Sequence, residues 1–359
     1  MSKEEIAAFL ESKKGIVDAV IEKYIPRKFT KKYLSWAFGD PSYEYDIKTL
    51  ENALSKPVWD FLDRGGKRWR PALFLLMAEA LGADPKKMED FTALLELSHN
   101  GSIMVDDVED DGDIRRGKEC THKIFGIDVA INAGNFMYFL PYIVFSKNID
   151  KFDKDTMLKA YNVFSTELLN VHLGQGMDIW WHKGKADNIG EKEYLQMCAY
   201  KTGTLARMAA RLAVVLSGGT EKQEKKLGKV AESIGIGFQI RDDILDIVSS
   251  GSDRKKFGKA YGNDIKEGKR TLMVIYTLQK ANKTDRERLL EILNLHTKDP
   301  LQVDEAISIL EKYKSVEYAK SVADRIIRQA WEDAASLIKE SKAKKTLKAF
   351  VNFLIERDF

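Results

Sequence analysis

Three aspartates recur at one spacing in two places, Asp106-Asp107-Val108-Glu109-Asp110 and Asp242-Asp243-Ile244-Leu245-Asp246. At ~100° per residue, the carboxylates of each group fall within about 100° of arc on one helix face. Like charges at helical spacing repel by a few tenths of a kcal/mol per pair, so the arrangement needs a counter-ion to be worth keeping twice. Each group follows an apolar run, Ile103-Met104-Val105 before the first and Ile234 to Ile240 before the second. The carboxylates therefore belong at the end of a buried helix rather than along a solvated stripe. Hard oxygen donors clustered in this way suit Mg²⁺, which takes a few carboxylates and completes its shell with water and phosphate oxygens. Zinc is not suited, because the two cysteines and five histidines are not grouped around these aspartates.

A carboxylate–Mg²⁺ site is complete only with an anion to share the metal, and basic side chains flank both groups. Arg64-Gly65-Gly66-Lys67-Arg68-Trp69-Arg70-Pro71 precedes the first, and Arg115-Arg116-Gly117 follows it. Lys201-Thr202-Gly203 lies between the two groups, and Lys259 and Lys269 follow the second. Gly65-Gly66 frees the backbone to approach an anion, and arginine forks take phosphate oxygens bidentately. Each segment alone is ordinary surface. Together they describe a cavity for two diphosphates.

The elements that must position these residues are helical. Ala72 to Leu81 is an apolar helix stopped at Gly82, and Phe91 to Val105, Tyr194 to Leu216, Lys222 to Val248 and Leu272 to Leu293 read the same way. No run of strict alternation between hairpin turns stands out, so no sheet is expected. Breaks are expected at Gly65-Gly66, Ser217-Gly218-Gly219, Ser249 to Lys259 and Thr297 to Pro300. Only 7 prolines in 359 residues, well under the usual ~5%, favour one large helical domain over several linked ones. The basic, aromatic residues 1–40 are expected to form a surface helix and its connection. Val129 to Phe145 is the most apolar stretch. Asn132, Asn135 and Pro141 interrupt it, and it falls short of the ~20 residues of a membrane span, so it is read as a core helix kinked at Pro141. A net charge of +3 calls for no nucleic-acid partner. Two cysteines make no disulfide framework, which points to a reducing cytoplasm, and the start of the chain carries no apolar targeting run.

In order along the chain, GGKRWRP, ELSHN, DDVEDDGDIRRG, GQGMD, YKTG, GFQIRDDILD and GKAYGNDIKEGKRTL resemble the motifs of the trans-isoprenyl diphosphate synthases. The resemblance spans at least Gly65 to Leu272. It implies an all-α bundle of antiparallel helices around a deep central cavity, a single domain over residues 1–359, and a homodimer. Asp106 and Asp110 resemble the ligands of two Mg²⁺ ions that bridge to an allylic diphosphate, with Asp107 supporting. Asp242 resembles the ligand of a third, with Asp243 and Asp246 around it. Lys67, Arg70, His99 and Arg116 resemble the isopentenyl diphosphate site. Arg115, Lys201, Lys259 and Lys269 resemble the ligands of the allylic diphosphate. Thr202 and Gln239 resemble the oxygens that face the nascent carbocation, with Gln175 and Asp178 behind them. His122 fits the pattern as a structural residue. His172, His182, His296 and the pair Trp180-Trp181 are read as packing or surface.

The chemistry implied is ionisation, condensation and elimination, with the released diphosphate accepting the proton. Gly101 and Ser102 lie about one helical turn, or 6–7.5 Å, below Asp106. Neither is bulky, so both are expected to leave a passage open for geranylgeranyl or longer products. Phe136, Phe139, Leu140 and Tyr142 are candidate deeper stops. Two alternatives remain at this stage: a non-catalytic subunit of a heteromeric synthase, and a class I terpene cyclase. The intact GGKRWRP and DDILD segments weigh against the cyclase.

Overall fold

The computed structural model describes residues 3–186, 188–248 and 262–355. The helices are α1 (Lys3–Tyr24), α2 (Lys31–Phe38), α3 (Ile47–Leu50), α4 (Lys56–Leu62), α5 (Trp69–Ala80), α6 (Thr92–Glu109), α7 (Thr121–Phe125), α8 (Ile127–Phe139), α9 (Tyr142–Lys147) and α10 (Lys154–His182). They continue as α11 (Glu191–Cys198), α12 (Thr204–Leu216), α13 (Glu221–Val248), α14 (Asn263–Lys266), α15 (Leu272–Lys280), α16 (Lys283–Leu295), α17 (Pro300–Lys312), α18 (Ser315–Ala334) and α19 (Lys342–Ile355). Contacts divide the chain into two units. The first comprises Met1–Ser165, Met208–Glu224 and Ile338–Phe350, and the second Thr166–Arg207, Lys225–Leu337 and Val351–Phe359.

In the first unit α6 is the central element. Residues Thr92 to Ser98 are buried on every side, the signature of a helix with no solvent face. It lies antiparallel to α8, and the two approach closely at a pair of glycines. A Cβ on Gly101 would stand 2.8 Å from the Gly134 carbonyl oxygen and 2.9 Å from Met137 Cβ. A Cβ on Gly134 would stand 2.7 Å from a Val105 methyl. Helix α1 is more than the surface helix expected, since Val17, Ile21 and Tyr24 are fully buried in the unit's core. Its Asp18 also reaches Arg68.

Two breaks match the sequence closely. Gly82, just past α5, has φ +85°, and α8 gives way to α9 across Leu140-Pro141. The apolar stretch Ile127–Lys147 is long and apolar enough to cross a membrane by length and composition, but half of it is buried within the protein. Strand structure was not expected, yet Ile114–Arg115 (β1) and Lys118–Glu119 (β2) pair antiparallel, with Arg115 opposite Lys118. Arg116 and Gly117 between them both have positive φ, 53° and 77°, which is the two-residue hairpin turn that matches strand twist.

The second unit is built on α13, whose Ile236, Ile240, Ile244 and Ile247 pack with Tyr194, Met197, Leu272, Met273 and Leu293 in one core. Here two expected helices are each divided. Tyr194 to Leu216 is interrupted by a π-helical turn, Ala199–Gly203. Leu272 to Leu293 restarts at Asn282, whose side chain accepts from the Asp285 N–H and caps α16.

Candidate active site

In the first unit, α6 ends in the first acidic group. Asp106 and Asp110 are half-buried and Asp107 is fully buried. Arg115 leans back from β1 onto them: its Nε donates to Asp107 Oδ1 at 2.7 Å, and a terminal nitrogen lies 3.7 Å from Asp106 Oδ2. Burial pushes the Asp107 carboxyl above its usual range, and Arg115 offsets part of that. Asp107 Oδ2 is buried without a hydrogen-bond partner. Asp107 is thus a clamped carboxylate, whereas Asp106 and Asp110 retain solvent access.

Beside this group stands a cluster of arginines. Arg70 donates to His99 Nε2 at 3.0 Å and lies over the Trp69 ring. Because a guanidinium can only donate, His99 Nε2 is the acceptor, and any proton on the neutral ring sits on Nδ1. Burial, then the charges of Arg70, Arg116, Arg68 and Arg115, hold His99 well below the usual imidazole range. Arg116 donates to the Gly65 carbonyl at 2.6 Å and lies over Phe61. Burial and the neighbouring arginines pull it down to about 10. Among the described residues it has no carboxylate at ion-pair distance. Gly66 suits its place: its φ is +153°, which L side chains rarely adopt, and a Cβ would stand 3.0 Å from a terminal nitrogen of Arg68. Within the same motif Lys67 is exposed, while Arg68 turns inward to pair with Asp18 and Glu96 at 2.9 and 2.7 Å.

Gly101 has surroundings other than those expected of it. Its open side faces the α8 backbone, so a side chain there would wedge two helices apart rather than narrow a passage. The expectation of an open passage is corrected accordingly and narrows to Ser102. That residue is half-buried, with its hydroxyl donating to the His99 carbonyl at 2.8 Å.

In the second unit the π-turn carries Lys201 and Thr202. Lys201 Nζ donates to Asp178 Oδ2 at 2.5 Å, and Thr202 Oγ1 donates to Gln239 Oε1 at 2.6 Å. Gln239 Nε2 donates to Asp243 Oδ1, and the Tyr194 hydroxyl to Asp243 Oδ2, each at 2.8 Å. Burial and Asp264 push the Asp243 carboxyl up, and those two hydrogen bonds and Lys269 pull it back. Asp246 does something else: its carboxylate accepts the N–H groups of Asn263 and Asp264 at 3.1 and 2.9 Å, closing the start of α14. Lys269 pairs with Glu267 and Asp264 at 2.5 and 3.4 Å. Asp242 alone of its triad is half-exposed. Gln175 is half-buried on α10. Lys259 lies outside the described residues. No motif marks Tyr194; a buried tyrosine in a helix reads as core from sequence.

Among the described residues no three His, Cys, Asp or Glu groups form a ready-made metal cage. Mg²⁺ needs none, since it binds through one or two carboxylates plus water and phosphate oxygens. The donors of each unit fit that mode: Asp106 and Asp110 in the first are hard carboxylates with solvent access, with Arg115 beside Asp106, and Asp242 in the second is likewise half-exposed.

The polyprenyl synthetase family model matches residues 51–310. A short chain isoprenyl diphosphate synthase of Methanothermobacter thermautotrophicus is 36% identical over 82% of this chain and 87% of its own length. A geranylgeranyl pyrophosphate synthase of Geoglobus acetivorans is 35% identical over 83% and 89%. Among solved structures, geranylgeranyl pyrophosphate synthetase from Pyrococcus horikoshii superposes with a TM-score of 0.85 at 29% identity, covering 99% of both chains. With both acidic groups, the arginine cluster and the Lys201-Thr202 turn in that setting, the chain belongs to the polyprenyl synthetase family and is a prenyltransferase.

Proposed function

We propose that the protein joins isopentenyl diphosphate head-to-tail to an allylic diphosphate in a Mg²⁺-dependent reaction, giving all-trans geranylgeranyl diphosphate or a longer homologue. The observation that carries this reading is the arginine cluster beside the first acidic group. Arg116, Arg70 and Arg115 surround a neutral His99, and Arg116 lacks a carboxylate of its own among the described residues. Arg115 is already held by Asp107, so the charge an added anion would offset is chiefly that of Arg116, and charge-assisted bonds to phosphate are each worth about 1.5–3 kcal/mol.

Lys67, Arg70, His99 and Arg116 hold the isopentenyl diphosphate in this scheme. Arg115, Lys201, Lys259 and Lys269 hold the allylic diphosphate, and Asp106, Asp110 and Asp242 hold Mg²⁺, with Asp107, Asp243 and Asp246 behind them. Bound Mg²⁺ supplies charge neutralisation for the leaving diphosphate. The basic side chains add to it as negative charge develops during C–O cleavage, which is electrostatic stabilisation of the transition state. Thr202 and Gln239 offer oxygen lone pairs to the developing allylic cation. Attack by the double bond of isopentenyl diphosphate forms the new C–C bond, and the lost proton passes to the released diphosphate. Positioning and exclusion of water keep the cation from ending as an alcohol.

The test is elongation by purified protein with isopentenyl diphosphate, an allylic primer and Mg²⁺, with and without EDTA. Metal-dependent linear products are expected. No elongation would favour a partner-subunit role, and a cyclic hydrocarbon a cyclase. Product length is tested at α6. Each added prenyl unit buries five carbons, about 4 kcal/mol at ~0.8 per CH₂, so growth continues until something bulky stops it. Ser102→Phe is expected to shorten the product; an unchanged length refutes the chain-length role. Gly101→Phe is expected to cost the fold instead, seen as loss of helical circular dichroism.

A further inference from the structure

Glutamine can present either its oxygen or its NH₂, and only the oxygen helps a neighbouring carbocation. Three hydrogen bonds in the second unit remove that ambiguity. Gln239 Nε2 points at Asp243 Oδ1, one turn along α13, at 2.8 Å. Tyr194, 1% exposed as a residue, donates its hydroxyl to Asp243 Oδ2 at 2.8 Å. With Oδ2 occupied by that donor, Oδ1 is the acceptor left for Gln239, whose Oε1 must then face the other way. There it receives the Thr202 hydroxyl at 2.6 Å. Thr202 thus spends its hydrogen on Gln239 and keeps its own lone pairs outward.

Packing alone does not call for this tyrosine. Its ring lies in a core of Ile236, Ile240, Ile244, Leu272 and Met273, where phenylalanine has the same shape. A buried phenol O–H must find an acceptor, and this one finds a carboxylate of the second acidic motif. It also joins the two segments that matter: α11, which leads straight into the turn bearing Thr202, and α13, which bears Gln239.

We propose that Tyr194 is a positioning residue for chain elongation, holding Asp243 so that Gln239 and Thr202 present oxygen rather than hydrogen to the reacting carbon. The inference rests on the prenyl-transfer reading above and deepens it by assigning the residue that sets the polarity of that oxygen pair.

The experiment compares wild type, Tyr194→Phe, Gln239→Leu and the double variant in steady-state elongation, with thermal unfolding of each. Tyr194→Phe is expected to lower kcat about 10- to 100-fold, the range for a misplaced reacting group. KM for isopentenyl diphosphate and the half-saturating Mg²⁺ concentration should stay within about twofold of wild type. In the Gln239→Leu background the tyrosine change should add almost nothing, since its effect runs through the glutamine. Wild-type kcat in Tyr194→Phe, or a loss that adds in full in the double variant, overturns the inference. Should Tyr194→Phe not fold, Asp243→Asn keeps the tyrosine and offers Gln239 an amide that can donate as well as accept. A kcat loss at unchanged Mg²⁺ dependence then supports the inference, and wild-type kcat overturns it. A wild-type protein that elongates nothing sinks the parent reading instead, so the two failures are distinguishable.

Discussion

Within the arginine cluster a single imidazole reports the local field. Burial and four guanidinium charges hold His99 well below 6.5, so it is neutral in the native protein at neutral pH, while in the unfolded chain it returns to about 6.5. As pH falls below 6.5 the unfolded state takes up a proton that the native state refuses. The stability tied to His99 is therefore complete above pH 6.5 and is lost as pH falls toward the depressed folded value, at a limiting slope of about 1.4 kcal/mol per pH unit. His99→Gln removes that titration. Urea midpoints measured from pH 7.5 down to 5.0 should fall less steeply in the variant, and parallel declines would falsify the assignment. The same cluster shows what residue types disclose and what they hide. The spacing of His99, Arg70, Asp106 and Asp110 was legible because chemistry fixes it in sequence. That Arg68 faces the core and Arg70 the histidine depends on Asp18 and Glu96, brought in from α1 and α6, and no local pattern encodes it.

Three glycines explain how the Lys201-Thr202 turn can be π-helical inside an otherwise continuous helical run. A Cβ on Gly174 of α10 would lie 2.2 Å from the Lys201 backbone nitrogen, and one on Gly235 of α13 would lie 2.5 Å from Gly203 Cα. A Cβ on Gly203 would in turn lie 3.0 Å from the Glu232 carbonyl oxygen. The turn is gripped by bare backbone on both sides, and Arg207 locks the far end by bridging Glu167 and Glu232. Gly174→Ala is therefore expected to displace the turn, lowering kcat at least tenfold and destabilising by about 1–3 kcal/mol as an overpacked site. Gly176→Ala, two residues on, meets nothing within 4 Å and is expected to stabilise by about 0.5–1 kcal/mol at unchanged kcat. Melting temperatures and kcat of the pair check both, and equal behaviour would refute the clamp. From sequence, the helical periodicity and the Gly82 stop were readable because they are local. The bulge at Ala199–Gly203 and the restart at Asn282 were not, because the first depends on glycines distant in the chain and the second on a single cap inside an unbroken apolar pattern. The two-residue hairpin was missed for the opposite reason: it is too short to show alternation, and only the Arg116-Gly117 pair hints at it.

At the scale of the molecule, apolar surface remains to be accounted for. On α10, Leu169, Leu173 and Trp180 are all more than half exposed, and at ~100° per residue they fall within about 40° of arc. Separately, Ile127 and Ile131 lie one turn apart on α8, also exposed. Scattered exposed leucines need no account, but a one-sided stripe on a long helix is the pattern of an interface. A two-fold contact between identical chains covers such a stripe with its own copy, so each position is buried once in each protomer. Burying a leucine is worth about 1.5–3 kcal/mol, so two leucines from each of two protomers contribute about 6 kcal/mol or more to association. Homodimers are the expected state. Leu169→Glu with Leu173→Glu removes that contribution and sets like charges against each other, so sedimentation of the double variant at micromolar concentration should give a single chain of 40.9 kDa where wild type gives twice that mass. A wild-type monomer, or a variant that still dimerises, would show that α10 is covered by something other than a second copy. Leu169 and Leu173 are not among the residues assigned above to metal, diphosphate or the reacting carbon, so folded variant chains separate assembly from chemistry: any loss of elongation in them measures how far the reaction depends on pairing.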